Sequence, residues 1–180
     1  MKVYHFSDPH FGHENLLDYV ESPFKTIKEK DTTIINNFNS KVDVEDLCIC
    51  YGDFCFGKSS EAPNSQRKAF EYYRNQLNCK NIIFIRGSHD KNNGVKTPIR
   101  SLIITLGGKW IYCVHNPKEA KSEFFFNFCG HWHGKYGKFI RLSEKSVIVD
   151  LSVENWNYSP VEYTEIWREY SKWIKNEKTN

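Results

Sequence analysis

A chain of 180 residues with net charge +3 and 39% hydrophobic residues is long enough to bury its own core and too apolar to stay disordered. The charge is too mild to argue for nucleic-acid binding by itself. No apolar run reaches the length of a membrane span, and Met1 to Asp8 reads as a strand rather than an export signal. The expectation is one domain over residues 1–180, cytoplasmic and without membrane contact.

Lys2 to Ser7 forms a short strand, ended by Pro9, which cannot donate to a ladder. A helix from about Glu14 to Val20 follows, and Ser22-Pro23 breaks it. Asp31 is placed to cap a second helix, whose Ile34, Ile35, Phe38 and Val42 recur at helical spacing. Leu47 to Tyr51 is apolar on both faces, as a covered central strand requires, and ends at Gly52-Asp53. Gly57 to Ser65 is a polar loop, and Ser65 to Leu77 is a helix turning Phe70, Tyr73 and Leu77 inward.

Asn81 to Ile85 is a further buried strand, running into Arg86-Gly87-Ser88-His89-Asp90. Ser101–Leu106 and Trp110–Val114 pair through Gly107-Gly108, a hairpin signal, and the second strand delivers His115. The aromatic run Phe124, Phe125, Phe126, Phe128 is a buried strand that stops at Gly130. Phe139–Leu142 and Ser146–Val149 form another hairpin. The last helix starts at Ser159-Pro160-Val161-Glu162, which has capping-box spacing, and its Tyr163, Ile166, Trp167, Tyr170, Trp173 and Ile174 face the core. The six cysteines (48, 50, 55, 79, 113, 129) contain no C-x-x-C pair and read as reduced core residues.

The chemistry sits where strands end. Five apolar strands each run into a loop carrying Asp or His: Asp8/His10, Asp53, His89/Asp90, His115, and His131/His133. Such loops are where open α/β folds build sites. In the flanked triplet Gly130-His131-Trp132-His133-Gly134, two imidazoles about 7 Å apart point the same way along an extended chain. They can share one ion or serve two. Imidazole and carboxylate donors suit Mn²⁺, Fe²⁺ or Zn²⁺. A carboxylate such as Asp53 can bridge two ions about 3.5–4 Å apart, a spacing that suits in-line displacement at phosphorus.

In order, Asp8-x-His10, Gly52-Asp53, Gly87-x-His89-Asp90, His115 and Gly130-His131-x-His133 resemble the motif series of the calcineurin-like metallophosphoesterases, nearest the small bacterial and phage type. The resemblance covers residues from about 3 to 134. It implies an α/β fold, a four-layer αββα sandwich of two mixed β-sheets flanked by helices. It implies two divalent metal ions, manganese first, with iron, zinc or nickel as alternatives. Asp8, His10 and His133 would hold one ion, His115 and His131 the other, with Asp53 between them. His89 would serve the leaving group and Asp90 would orient its ring. Ser88 and His13 would stand on the substrate side, Ser88 where the family usually has an asparagine that ligates the second metal.

The implied activity is hydrolysis of a phosphodiester or phosphomonoester by a metal-bridging hydroxide, on a phosphorylated small molecule or nucleotide. Lys91, Lys118 and Lys135, each near a motif, would attract such anions. Two alternatives stay open: a nuclease acting on single-stranded or end-exposed nucleic acid, and a catalytically weak metal-binding scaffold. A homodimer through the aromatic helix is also left open.

Overall fold

A computed structural model of the chain describes residues 1–20, 22–57 and 66–177; most of the polar loop expected over 57–65 lies outside them. In chain order the elements are β1 (Val3–Phe6), α1 (Ile27–Lys41), β2 (Leu47–Cys50), α2 (Gln66–Arg74), β3 (Asn81–Phe84), β4 (Ser101–Leu106) and β5 (Lys109–Val114). There follow β6 (Phe126–Cys129), β7 (Phe139–Ser143), β8 (Ser146–Asp150), β9 (Val161–Glu162) and α3 (Tyr163–Glu177). They build two mixed sheets, ordered β3-β2-β1-β9 and β4-β5-β6-β8-β7. In the first, β1, β2 and β3 run parallel and β9 antiparallel; in the second, β5, β6 and β8 run parallel between antiparallel β4 and β7. The expected α/β sandwich of two mixed sheets with helices is observed.

Strand patterning follows from burial on both sides. Cys48 and Cys50 of β2 join Ile34 and Phe38 of α1 and Ala69 and Tyr73 of α2 on the outer face. Ile49 and Tyr51 point the other way, against Ile111, Cys113, Phe126, Phe128, Val147 and Val149 of the second sheet. That alternation is why the segment is apolar throughout. The far face of the second sheet carries Tyr112, Val114, Cys129 and Ile148, covered by Phe124 and Trp132. All six cysteines are free and buried.

An isolated parallel bridge between Ser7 and Ser152 joins the chain just after β1 to the chain just after β8. It brings the carboxyl ends of both sheets to one edge, and the loops bearing Asp and His lie there.

Three element boundaries differ from expectation. Residues Glu14–Asp18 form a 3-10 turn, in which Leu16 is the buried residue; one anchored side chain gives too narrow an apolar face to propagate α-helix. Helix α1 begins four residues before Asp31, with Thr26 as N-cap accepting from the Glu29 N–H at 3.2 Å. Asp31 therefore lies within the helix, and its carboxylate accepts from the Gly12 N–H at 2.7 Å. Finally, Val161 and Glu162 pair with His5 and Tyr4 as β9 before α3 starts, so the helix opens with Glu165 accepting from the Glu162 N–H. Strand pairing displaces the expected capping box.

The aromatic stripe of α3 packs within the chain: Tyr170 lies 5.0 Å from Phe126 and Trp173 5.7 Å from Phe139, ring centre to ring centre. No helix among the described residues is long and apolar enough to cross a membrane.

Candidate metal centre

Six side chains from four strand ends, those of β1, β2, β5 and β6, gather into two groups, Asp8 with His10 and His133, and Asp53 with His115 and His131. Within each group the ligand atoms lie within 4.8 Å of one another. Asp53 Oδ2 stands between the groups, 3.7 Å from His10 Nε2 and 3.4 Å from His115 Nε2. In the first group Asp8 Oδ1 is 3.8 Å from His10 Nε2 and 3.9 Å from His133 Nε2.

The backbone is bent against local preference to achieve this. Asp8, His10, Asp53, His131 and His133 all have φ between 41° and 74°. Non-glycine residues adopt that left-handed region uncommonly, Asp and His more readily than most, and five together need support from their surroundings. The enforcing contacts are visible. The Asp8 and His10 N–H groups donate to the carbonyls of Gly52 and Asp53 at 3.1 Å. Neighbouring glycines provide the space: a Cβ on Gly130 would stand 2.2 Å from Asp8 Oδ2, and one on Gly87 2.2 Å from Asp53 Oδ1.

Asp90 holds the same region together. Its carboxylate accepts from the N–H groups of Gly87 (2.7 Å), Phe54 (3.0 Å) and Asp53 (3.1 Å). Both oxygens are engaged with backbone, so the expected role of orienting the His89 ring is replaced by bracing the two loops. Burial raises the Asp90 pKa, and these hydrogen bonds oppose the rise.

Three ligand atoms, Asp8 Oδ1, His10 Nε2 and His115 Nε2, are buried with no hydrogen-bond partner. Buried polar atoms left this way are costly unless something else satisfies them. All three point into the two groups, and the donor set is oxygen and imidazole nitrogen, so the residues fit two divalent ions. The far ring nitrogens are fixed: His115 Nδ1 donates to the Tyr51 carbonyl at 2.8 Å, and His133 Nδ1 to Glu154 Oε1 at 3.0 Å. Each bond leaves Nε2 as the atom that could ligate an ion.

Electrostatics in the metal-free protein follow from crowding. Burial works against the charged form of Asp53, yet the adjacent His115 and His10 rings and the His89 N–H hold its carboxyl well below the usual range. Burial would lower His115 and His133, but Asp53 and Asp8 on the first and Glu154 and Asp8 on the second raise each to about 9. His10, desolvated foremost, is pushed well down. Ions in the two groups would displace these protons.

The centre opens on a cleft of about 930 Å³ whose wall includes His10, His13, Asp53, His89, His131 and His133, with Leu16, Tyr19 and Trp132 on an apolar side. The His89 N–H donates to Asp53 Oδ1 at 2.8 Å, and its ring lies 5.8 Å from that of His10. His13 stacks on Phe56 at 4.4 Å and makes no side-chain cap to the turn that follows, which leaves it on the cleft wall. Ser88 is exposed on a separate recess beside His115. Of the three lysines, Lys135 lines the cleft.

The sequence profile of calcineurin-like phosphoesterases matches residues 1–179. The chain belongs to the calcineurin-like phosphoesterase family. An uncharacterized protein of Methanocaldococcus jannaschii is 32% identical to this phosphoesterase-family chain over 163 residues, 89% of this chain and 86% of that one. Among solved structures, a protein of unknown function from Aquifex aeolicus superposes with a TM-score of 0.68 at 20% identity, covering 93% of this chain and 98% of the other. At that identity it shares the fold.

In this phosphoesterase-family chain a set of supporting residues was not anticipated from sequence. Ser152 Oγ donates to Asp150 Oδ1 at 2.6 Å and faces Asp8 Oδ2 at 3.3 Å, and the His131 N–H donates to the same Asp8 oxygen at 2.8 Å. Lys30 is fully buried on α1, donating to the Pro9 carbonyl and pairing with Asp31 at 3.5 Å, directly beneath the Asp8–His13 loop. One signal was available: after β8, Asp150-Leu151-Ser152-Val153-Glu154 alternates polar and apolar at another strand end.

Proposed function

We propose that this phosphoesterase-family protein is a hydrolase of phosphodiesters or phosphomonoesters that depends on two divalent ions, manganese foremost. The observation that carries the reading is Asp53 Oδ2 standing between two ligand groups whose buried atoms lack other partners. Two ions held there supply Lewis acidity to a phosphoryl oxygen and lower the pKa of a water near neutral pH.

The chain's own residues supply the rest. Asp8, His10 and His133 would hold one ion, His115 and His131 the other, and Asp53 both. His89 is exposed to the cleft and no described residue hydrogen-bonds its ring, so that ring is available to give a proton to the departing ester oxygen. Glu154, through His133 Nδ1, keeps that ring's Nε2 turned inward. Leu16, Tyr19 and Trp132 would receive the apolar part of a nucleotide or other phosphorylated small molecule. Six free buried thiols suit a reducing, cytoplasmic setting.

Hydrolysis of bis-p-nitrophenyl phosphate by protein reconstituted in turn with Mn²⁺, Ni²⁺, Fe²⁺ and Zn²⁺ tests the reading. Release of nitrophenol that is lost on chelation is expected; folded, metal-loaded protein inactive with all four ions would overturn it. A weakened, scaffold-like protein is the second reading, favoured by Ser88, which is exposed and whose hydroxyl makes no hydrogen bond to a described residue. Ser88→Asn decides between them: a large gain in turnover marks an attenuated enzyme, and no gain favours the scaffold.

A further inference from the structure

Beside the second ligand group lies a recess of about 240 Å³, lined by Arg86, Ser88, Arg100, His115, Asn116 and Glu119. It shares His115 with the metal centre and lies apart from the larger cleft. The Arg86 N–H donates to the Ile99 carbonyl at 2.8 Å, which fixes the end of β3 beside the chain entering β4 and sets Arg100 next to Arg86.

Neither guanidinium forms an ion pair with a described residue. Elsewhere on the surface, Arg141 and Arg168 each pair with glutamates of α3. Leaving two guanidiniums unpaired beside a centre built to hold two dications is electrostatically unfavourable unless an anion joins them. Glu119 is the one carboxylate in the lining, so the recess keeps net positive charge. Asn116 and Ser88 can add donors. Asn116 Oδ1 is occupied by the Lys118 N–H at 3.0 Å, which leaves its amide hydrogens to donate, and Ser88 offers a short hydroxyl that leaves the recess open.

We infer that the Arg86–Arg100 recess is a subsite for a second phosphoryl group, so that the substrate is a phosphate ester carrying another phosphate beyond the scissile one. Guanidinium forks match phosphate oxygens in number and plane. The inference rests on the proposed phosphoesterase reading for its placement relative to the reacting phosphorus.

The test compares metal-loaded wild type with the Arg86→Ala/Arg100→Ala double variant on two p-nitrophenyl esters that differ by one phosphate. These are thymidine 5′-(p-nitrophenyl phosphate) and the same compound phosphorylated at O3′. Wild type is expected to favour the doubly phosphorylated ester by about tenfold in kcat/KM, one charge-assisted contact's worth, and the variant to show a ratio near one. A ratio that survives the substitutions overturns the subsite. Should wild type hydrolyse neither ester, the phosphoesterase reading fails, and the recess is judged by calorimetric titration of pyrophosphate and orthophosphate into the same metal-loaded proteins. Preference for pyrophosphate that the variant loses supports the subsite; equal preference in both overturns it. Arg100→Ala alone, at an exposed position, gives a partial loss in either measurement if the double variant folds poorly.

Discussion

Glu154→Gln isolates the contribution of one charge to the centre. Glu154 Oε1 accepts from His133 Nδ1 at 3.0 Å, its side chain is 9% exposed, and its other oxygen has no partner. Glutamine keeps an acceptor oxygen at nearly the same place, so ring orientation survives and the negative charge is lost. Outer carboxylates of this kind are worth about 10–100-fold in metal affinity, or roughly 1.4–2.8 kcal/mol. A second effect has the opposite sign. In the metal-free protein burial would lower His133, but Glu154 and the nearby carboxylates raise it to about 9, so at pH 7 an ion must displace a proton, and losing Glu154 eases that displacement. The deficit is therefore full at about pH 10.5, well above that value, where no proton competes, and narrower at pH 7. Chelator competition with Zn²⁺ at both values measures it. A variant within about threefold of wild type at the higher pH, or with a deficit that widens toward pH 7, refutes the reasoning.

His89→Asn should lower kcat by about 10²–10³ while two ions per chain remain bound, measured by turnover and elemental analysis. Asp90→Asn sets an NH₂ against at least one of the three N–H donors and should cost about 2–3 kcal/mol in urea unfolding, with the loss appearing in metal-free protein as well. His5 is buried between the sheets, bonded to the Tyr51 hydroxyl at 2.9 Å, and burial lowers its pKa to about 3. It therefore stays neutral in the folded state while the unfolded chain takes up a proton below about pH 6.5, so stability falls as pH drops through that window, by about 2 kcal/mol at pH 5. His5→Phe should remove that part of the acid sensitivity in metal-free protein, read as the difference in unfolding free energy between pH 7 and pH 5.

The six proposed ligands were legible because each stands where an apolar run stops, and a run of period two or an unbroken apolar strand can be read from residue types alone. Parallel strands then carry those stops to one edge. Glu154 and Lys30 were hidden for a physical reason: each acts across the fold, 21 residues from both His133 and the carbonyl of Pro9, respectively. No local pattern points to Lys30, and the alternation through Glu154 does not say which side chain it meets. Asp90 shows the converse error. Adjacency to His89 suggested a ring partner, but three backbone donors already occupy its oxygens. The misplaced start of α3 has a similar origin, since Ser159-Pro160 is a plausible helix start until β1 offers Val161 a strand to join.

Five of the six ligands sit at φ values where glycine would be at ease, each at a cost on the order of 1 kcal/mol. A polypeptide with no use for cations would gain robustness by drifting to glycine or asparagine at Asp8, His10, Asp53, His131 and His133. Here aspartate and histidine stand at every such position. The strain at these five positions is offset only by side-chain chemistry that glycine lacks, and the two groups would supply it when they hold ions.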